Sequence, residues 1–282
     1  MHAVIIPARN AARTLPATLA SLHAQTAPWE GILVDDGSTD ETASIARAAG
    51  LRVILGPRRG VAAARNVGVA ASAAPRLAFL DADDLWAPDR LQRDAASGAD
   101  ASFGRVSFFD TDPARPTALS AHPAKRLSMA DVVAENPTCT MSNIAVSRAA
   151  FMQAGGFDET MTHGEDLEWL IRLTGSGAHV AGLPQPLCFY RRSEAGLSSD
   201  LAAMRAGHVR AMATARRLGL DPGPAAEAVH LRYLARRALR LRRPEARALA
   251  LEGLRLAPRA FLSPARRGLP TLALALLHRS RP

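Results

Sequence analysis

The sequence predicts an α/β protein: a doubly wound, mostly parallel sheet flanked by helices, followed by an Arg-rich helical C-terminal extension. Three observations predict it. Short apolar runs alternate with Ala- and Leu-rich stretches at helical spacing through the first hundred residues. Three of those runs stop abruptly at polar residues: Arg9-Asn10, Asp35-Asp36 and Asp81-Ala82-Asp83. Beyond Leu201 the chain carries 17 Arg against 4 acidic residues, with leucine and alanine at helical intervals.

The runs at 3–6, 31–34, 51–55 and 77–80 read as buried strands, and 14–25, 40–49 and 61–73 as the helices between them. Strict strand–helix alternation implies a parallel sheet, in which ligands collect beyond the carboxyl ends of the strands. The three polar strand ends would therefore share one crevice. After residue 99 the pattern loosens. Strands are expected at 101–109, 143–146 and 180–190, helices at 147–154 and 165–174, and a Pro-rich loop at 110–123. This divides the chain into a domain over 1–200, with a nucleotide-binding half (1–98) and an acceptor-binding half (99–200), and a basic helical region over 201–282.

Composition narrows the function classes. The 282 residues suffice for one large or two small domains. No apolar run reaches the 18–20 or so residues that cross a bilayer. The opening residues lack the pattern of a signal peptide, so a cytoplasmic protein is expected. Cys139 and Cys188 form no CxxC pair and read as buried thiols. The net charge of +9 is carried by the tail: residues 1–200 hold 18 basic and 22 acidic groups. A nucleic-acid-binding protein would account for that tail but not for an acidic crevice, and no nucleic-acid partner is expected.

Four segments carry the chemistry. In "VDDGSTDET" (34–42), Ser38 and Glu41 fit a capping box, and Asp35 and Asp36 are left over. The segment is either a capped strand–turn–helix or a site where Asp36 accepts the ring N–H of a pyrimidine. In "RRGVAAARNVG" (58–68), Arg65 and Asn66 either face solvent or reach the crevice. "FLDADDLW" (79–86) packs Asp81, Asp83 and Asp84 into four residues. A solvated turn explains one or two of them. A divalent cation, which takes hard oxygen ligands and shares them with substrate phosphates, explains the group. A haloacid-type phosphatase would need Thr or Val where Leu85 stands. In "THGEDLEWL" (162–170), Glu165 and Asp166 open a helix, where the macrodipole favours acids in any case.

Together "VIIPARN", "LVDDGSTDET", "GVAAARNVG", "AFLDADDLWAPDRL", "GGFDE" and "GEDLEWLIRL", in that order, resemble the family 2 glycosyltransferases over about residues 2–200. The resemblance implies the GT-A fold, an inverting transfer from a nucleotide sugar, a UDP-sugar foremost, and a Mn²⁺ or Mg²⁺ ion. It implies Asp83 as the metal ligand and Asp166 as the catalytic base. Pro7, Arg9, Asn10, Asp36, Arg65, Asn66 and Asp81 would be the donor-binding residues. The sequence departs from the family at two places. Arg9 stands where many members place an aromatic residue, and Ser193 stands at the histidine of the Tyr-Arg-x-His element, leaving Arg191 or Arg192 to assist the diphosphate. A missing Q-x-x-R-W signature favours single-sugar transfer over polymerisation. The alternative is a nucleotide-sugar-binding protein or nucleotidyltransferase of the same fold.

The tail gives a last expectation. In 229–243, Leu231, Leu234, Ala238 and Leu241 share one helical face, and Arg232, Arg236, Arg240 and Arg243 another. The basic face is either solvated over a packed helix or a reversible contact with an anionic membrane, which suits a sugar or lipid-linked acceptor.

Overall fold

Short strands that are apolar on both faces are stable only inside a sheet covered by helices. The computed structural model, which describes residues 1–123, 125–193 and 196–278, contains that sheet. β1 (His2–Ala8), α1 (Leu15–His23), β2 (Trp29–Asp35), α2 (Thr42–Ala48), β3 (Arg52–Leu55), α3 (Val61–Ala70) and β4 (Arg76–Phe79) alternate as expected. β1 is buried along its whole length. It pairs in parallel with β2 on one side and β4 on the other, and β3 lies outside β2. The strand order reverses at β1, so the carboxyl ends of β1, β2 and β4 border one crevice.

The second half turns the sheet mixed. It comprises β5 (Leu85–Trp86), α4 (Arg90–Ala96), β6 (Ala101–Phe109), β7 (Ala118–Leu119), α5 (Met129–Ala134), β8 (Ile144–Ser147), α6 (Arg148–Ala154), α7 (Glu165–Gly175) and β9 (Val180–Arg191). The order is β3-β2-β1-β4-β8-β6-β9-β5, with β7 paired to β6. β8 runs antiparallel to β4 and β6, whereas β6 and β9 are parallel. β5 and β7 have two residues each and no periodicity of their own. β5 forms because Leu85 and Trp86 meet Phe189 and Cys188 of β9.

Beneath the crevice Phe79, Phe151, Phe157 and Trp169 pack ring to ring, with centroids between 5.3 and 6.5 Å apart. The tail joins this core. It folds as α8 (Leu201–Arg217), α9 (Gly223–Arg240), α10 (Ala246–Leu256), α11 (Pro258–Leu262) and α12 (Ala265–Leu277). Ala211, Met212 and Ala215 of α8 and Ala226 of α9 belong to the same apolar cluster as Phe79 and Trp169. No helix among the described residues is long and apolar enough to cross a membrane.

Three local expectations are corrected. Ser38 and Glu41 form no capping box. α2 starts one residue later, at Thr42, whose amide donates to Asp40 Oδ1 at 3.1 Å, and the Ser38 amide donates to Asp35 Oδ1 at 2.8 Å. Cys139 is exposed, and only Cys188 is buried. Arg232 is no part of a solvated face. Its guanidinium is buried and donates to the carbonyls of Ala260 and Phe261, each at 3.0 Å, and to that of Ser263. Those carbonyls lie at the end of α11, where they need donors. Periodicity could not separate Arg232 from Arg236, because both fit the same stripe.

The closest approach of the tail to the rest is at Gly207. A Cβ built there would lie 2.1 Å from the His163 carbonyl oxygen, just before Gly164, which takes φ +74° to start α7. Gly207→Ala must therefore push α8 away from the start of α7. The expected cost is about 1–3 kcal/mol, as for overpacking elsewhere. Denaturant unfolding measures it, and an unchanged midpoint would show that this contact is loose.

Candidate active site

The crevice is built by three strand ends, the first turn of α3 and the first turn of α7. At the centre lies Arg65. Its buried guanidinium donates from Nη2 to Asp81 Oδ1 at 2.7 Å and from Nη1 to Glu165 Oε1 at 2.9 Å. It also sits over the Phe157 ring, 5.6 Å from the centroid. One cation thus ties the acids after β4 to those at the start of α7. Burial alone would lower the Arg65 guanidinium, but the charges of Asp81 and Glu165 outweigh it and hold it above its ordinary value.

The acids around it are crowded. Burial first, and then the charge of Asp81, push the Asp83 carboxyl up to about 6. Burial and the charges of Asp83 and Asp81 hold Asp84 well above the usual carboxylate range. Burial, reinforced by Asp166 and opposed by Arg65, pushes Glu165 up to about 7. Asp166 is raised, chiefly by burial, although its Oδ1 accepts from the Leu167 amide at 2.7 Å.

Of the three aspartates after β4, each has a different task. Asp81 meets Arg65, and its own amide donates to Ser142 Oγ at 3.0 Å. Asp84 is buried and braces the fold: its Oδ1 accepts from the Arg191 amide at 3.0 Å, and its Oδ2 from Thr140 Oγ1 at 3.4 Å. Asp83 is half-buried, with its own amide as a donor and Arg191 nearby. Among the described residues no group of three or more His, Cys, Asp and Glu side chains forms a metal cage. The donor set instead suits a hard cation that takes one or two carboxylates and keeps places for water and phosphate oxygens. Asp83, with Asp81 beside it, fits that demand. Asp84 does not, since both of its oxygens already have partners.

Arg191 and Arg192 separate. Arg191 Nε donates to the Asp83 carbonyl oxygen at 3.0 Å, and its guanidinium lies over the Phe109 ring at 4.6 Å. Arg192 instead forms a bidentate pair with Asp110, at 2.8 and 2.7 Å.

Other expected donor-binding residues have structural tasks. The Asp36 carboxylate accepts the amides of Arg58 at 2.6 Å and Gly60 at 2.9 Å, shaping the loop before α3. Asn10, at φ 52°, accepts the Thr39 amide at 2.8 Å and its own amide donates to Ser38 Oγ at 3.0 Å. Asn66 donates to the Phe157 carbonyl at 2.9 Å and accepts the Phe157 amide at 3.0 Å, clamping the turn before α7. Pro7 is buried in β1 opposite Val34, and Arg9 is exposed at the strand end. The structure therefore brings together Asp81, Asp83, Arg65 and Asp166. It adds Asp84 and Glu165, which sequence reasoning left aside. The excess of acids after β4 was the available signal for Asp84; nothing distinguished Glu165 from Asp166.

Residues 3–153 match the family described as Glycosyl transferase family 2, more than half of the chain. The chain belongs to that family. Among relatives, the succinoglycan biosynthesis protein ExoU of Rhizobium meliloti is 35% identical over 199 residues, covering 62% of this chain and 57% of that protein. Glycosyltransferase AglE of Haloferax volcanii is 29% identical over 188 residues, covering 62% and 61%. The chain thus matches less than two thirds of the length of these relatives. The fold also recurs in solved structures. S. aureus TarS 1–349 in complex with UDP-GlcNAc superposes with a TM-score of 0.65 at 17% identity, over 96% of this chain and 89% of that one. Mannosyltransferase PcManGT of Pyrobaculum calidifontis, in complex with GDP-Man and Mn²⁺, gives 0.61 at 23% identity, over 98% and 86%. The GT-A architecture of this family 2 chain is that of these structures.

Two predictions test the electrostatics. Arg65→Met leaves Asp81 and Glu165 without their shared cation, and should cost about 3–5 kcal/mol of stability in urea unfolding. A loss below about 1 kcal/mol would mean that water already screens the pair. The second concerns pH. Glu165 titrates near 4.5 when unfolded and near 7 when folded. Between those values the folded state holds a proton that the unfolded state has released. Stability from this group is therefore present at low pH and is lost as pH rises through that window. Glu165→Gln should remove this part of the slope when melting is followed in metal-free buffer. A variant whose profile parallels the wild type would place the Glu165 pKa elsewhere.

Proposed function

We propose that this chain is an inverting glycosyltransferase of the hexosyltransferase type. It would move one sugar from a nucleoside-diphosphate sugar, a UDP-sugar foremost, to the hydroxyl of a sugar or lipid-linked acceptor in the synthesis of a cell-surface polysaccharide or glycolipid. The observation that carries this reading is the link made by Arg65, which holds the acids after β4 and the acids of α7 at one crevice. Membership of family 2 supports the activity, and a relative named for succinoglycan biosynthesis supports polysaccharide assembly. Structural neighbours solved with UDP-GlcNAc and with GDP-Man and Mn²⁺ support a nucleotide-sugar donor and a divalent ion.

In this reading residues 1–98 bind the donor. Asp36 and Asp81 contact the nucleoside, with Arg9 offering a planar guanidinium to the base. Asp83 holds Mn²⁺ or Mg²⁺. When bound, the ion neutralises the charge that gathers on the departing diphosphate. Arg191, fixed over Phe109 and beside Asp83, adds a second cation there and takes the place of the histidine that Ser193 replaces. Residues 99–200 face the acceptor. Asp166 takes the proton of the attacking hydroxyl, and its burial makes it a better proton acceptor than an exposed aspartate. The acceptor oxygen bonds to the anomeric carbon as the bond to the diphosphate oxygen breaks on the opposite face, which inverts configuration without a covalent enzyme intermediate. Glu165 pairs with Arg65 and positions Asp166 beside it.

Release of nucleoside diphosphate from UDP-, GDP- and dTDP-sugars with Mn²⁺ or Mg²⁺ tests the class. Failure to turn over any donor with any acceptor, despite tight nucleotide binding, would favour a binding protein. Asp83→Asn should abolish transfer and weaken Mn²⁺-dependent UDP binding in a protein that still folds. Wild-type affinity in calorimetry together with normal turnover would remove Asp83 from the site. Asp166→Asn should leave donor affinity nearly intact and lower turnover by roughly 10²–10⁴, the scale of general-base catalysis. Loss of donor affinity with unchanged saturated turnover would transfer the role to another residue, Glu165 first.

A further inference from the structure

Acids crowd the crevice, and arginines crowd its far side. Tyr233, Arg237 and Arg240 of α9 stand at i, i+4 and i+7 and share one stripe. Arg237 fixes the direction of that stripe. It is buried, and donates from Nε to the Ser198 carbonyl at 3.0 Å and from Nη2 to the Ser193 carbonyl at 2.8 Å, two residues beyond Arg191. Tyr233 lies within electrostatic reach of Asp166, Arg237 and Arg240. The stripe thus runs from the neighbourhood of the proposed base to the end of the helix.

At that end the chain turns sharply, with Arg242 in the left-handed region at φ 54°. Arg240, Leu241, Arg242 and Arg243 line a cavity of about 410 Å³. Among the described residues none of these three arginines makes an ion pair. The acid that feels Arg240, Asp110, is already held by both arms of Arg192. Burial, and then the charges of Arg237, Arg192 and Arg236, lower the Arg240 guanidinium from its ordinary value. The cavity is therefore a concave, positive space short of counter-charge. Guanidinium groups brought together in this way repel one another, and an anion between them relieves the repulsion. Their planar forks match the oxygens of a phosphate.

We propose that this cavity, lined by Arg240, Arg242 and Arg243, is a subsite for a phosphate group carried by the acceptor. The acceptor is then an anionic molecule, a sugar joined to a phosphate ester or diphosphate. Assigning the phosphate to the acceptor rests on the transferase reading given above. Arg240 lies seven residues beyond Tyr233, about 10 Å along a helix rising 1.5 Å per residue. That separation leaves room for a sugar between the attacking hydroxyl and the phosphate. The chemistry of the acceptor would then come from the tail, and the chemistry of transfer from the sheet.

The test uses the full chain and inorganic pyrophosphate, titrated by calorimetry in buffer freed of divalent metal. The wild type and Asp83→Asn should both bind it saturably. The double variant Arg240→Ala with Arg243→Ala should bind it roughly tenfold or more weakly, the loss of one or two charge-assisted contacts. Replacing both arginines by Lys should restore part of that loss, which separates charge from misfolding. Mn²⁺-UDP affinity should be unchanged in the double alanine variant. Equal pyrophosphate binding by that variant and the wild type would overturn the site. A parallel fall in Mn²⁺-UDP affinity would overturn the acceptor assignment by moving the cluster to the donor diphosphate. Binding to vesicles of phosphatidylcholine and phosphatidylglycerol without binding of pyrophosphate would overturn it too, making the cluster a headgroup surface. The transferase reading fails separately, through unaltered Mn²⁺-UDP binding in Asp83→Asn.

Discussion

A buried guanidinium must be matched by charge, and in this protein the match dictates where two distant segments go. Arg65 is nearly inaccessible, so its positive charge is tolerable only if carboxylates come to it. Asp81 comes from the end of β4 and Glu165 from the start of α7, a hundred residues further along the chain. The next residue, Asn66, holds the backbone of Phe157, and the Phe157 ring supports the guanidinium from below. One turn of α3 thus sets the walls of the crevice and the aromatic floor beneath it. Arg172 extends the same arrangement, reaching from α7 to the Ala154 and Gly156 carbonyls while pairing with Glu168.

The chain separates its charges in space. Carboxyl groups raised by burial gather where β4 and α7 meet. Arginines gather at the end of α9. Neither cluster is neutralised internally, apart from what Arg65 supplies to the acids and Asp110 to the arginines. Such an arrangement suits a pair of ligands with opposite needs: a cation bridging to a nucleoside diphosphate at one end, and an anionic group at the other.

The parallel half of the fold was legible because each strand is a run of apolar residues cut off by a polar one. The same pattern located Asp81 and Asp83. What stayed hidden depended on side-chain direction. Asp84 reads like its neighbours, yet it points into the protein to brace the backbone of β9. Asn10 and Asn66 look like ligands because they lie at strand and helix ends, but loops need hydrogen-bond partners as much as substrates do. Glu165 and Asp166 are adjacent, and only the position of Arg65 tells them apart. Arg232 shares a stripe with exposed arginines until α11 folds back over it. Short strands such as β5 exist through their partners and leave no local trace.

Gly207 and Gly164 touch backbone to backbone, so the tail helix and the helix bearing Asp166 have no side chain between them to absorb a shift. A molecule built in this way has a particular evolutionary liability. Remodelling α8 or α9 to suit a new acceptor would also move the start of α7, so changes of specificity and losses of rate would arise together. New specificities would more readily be acquired by exchanging side chains on a fixed helix than by inserting or deleting residues within it.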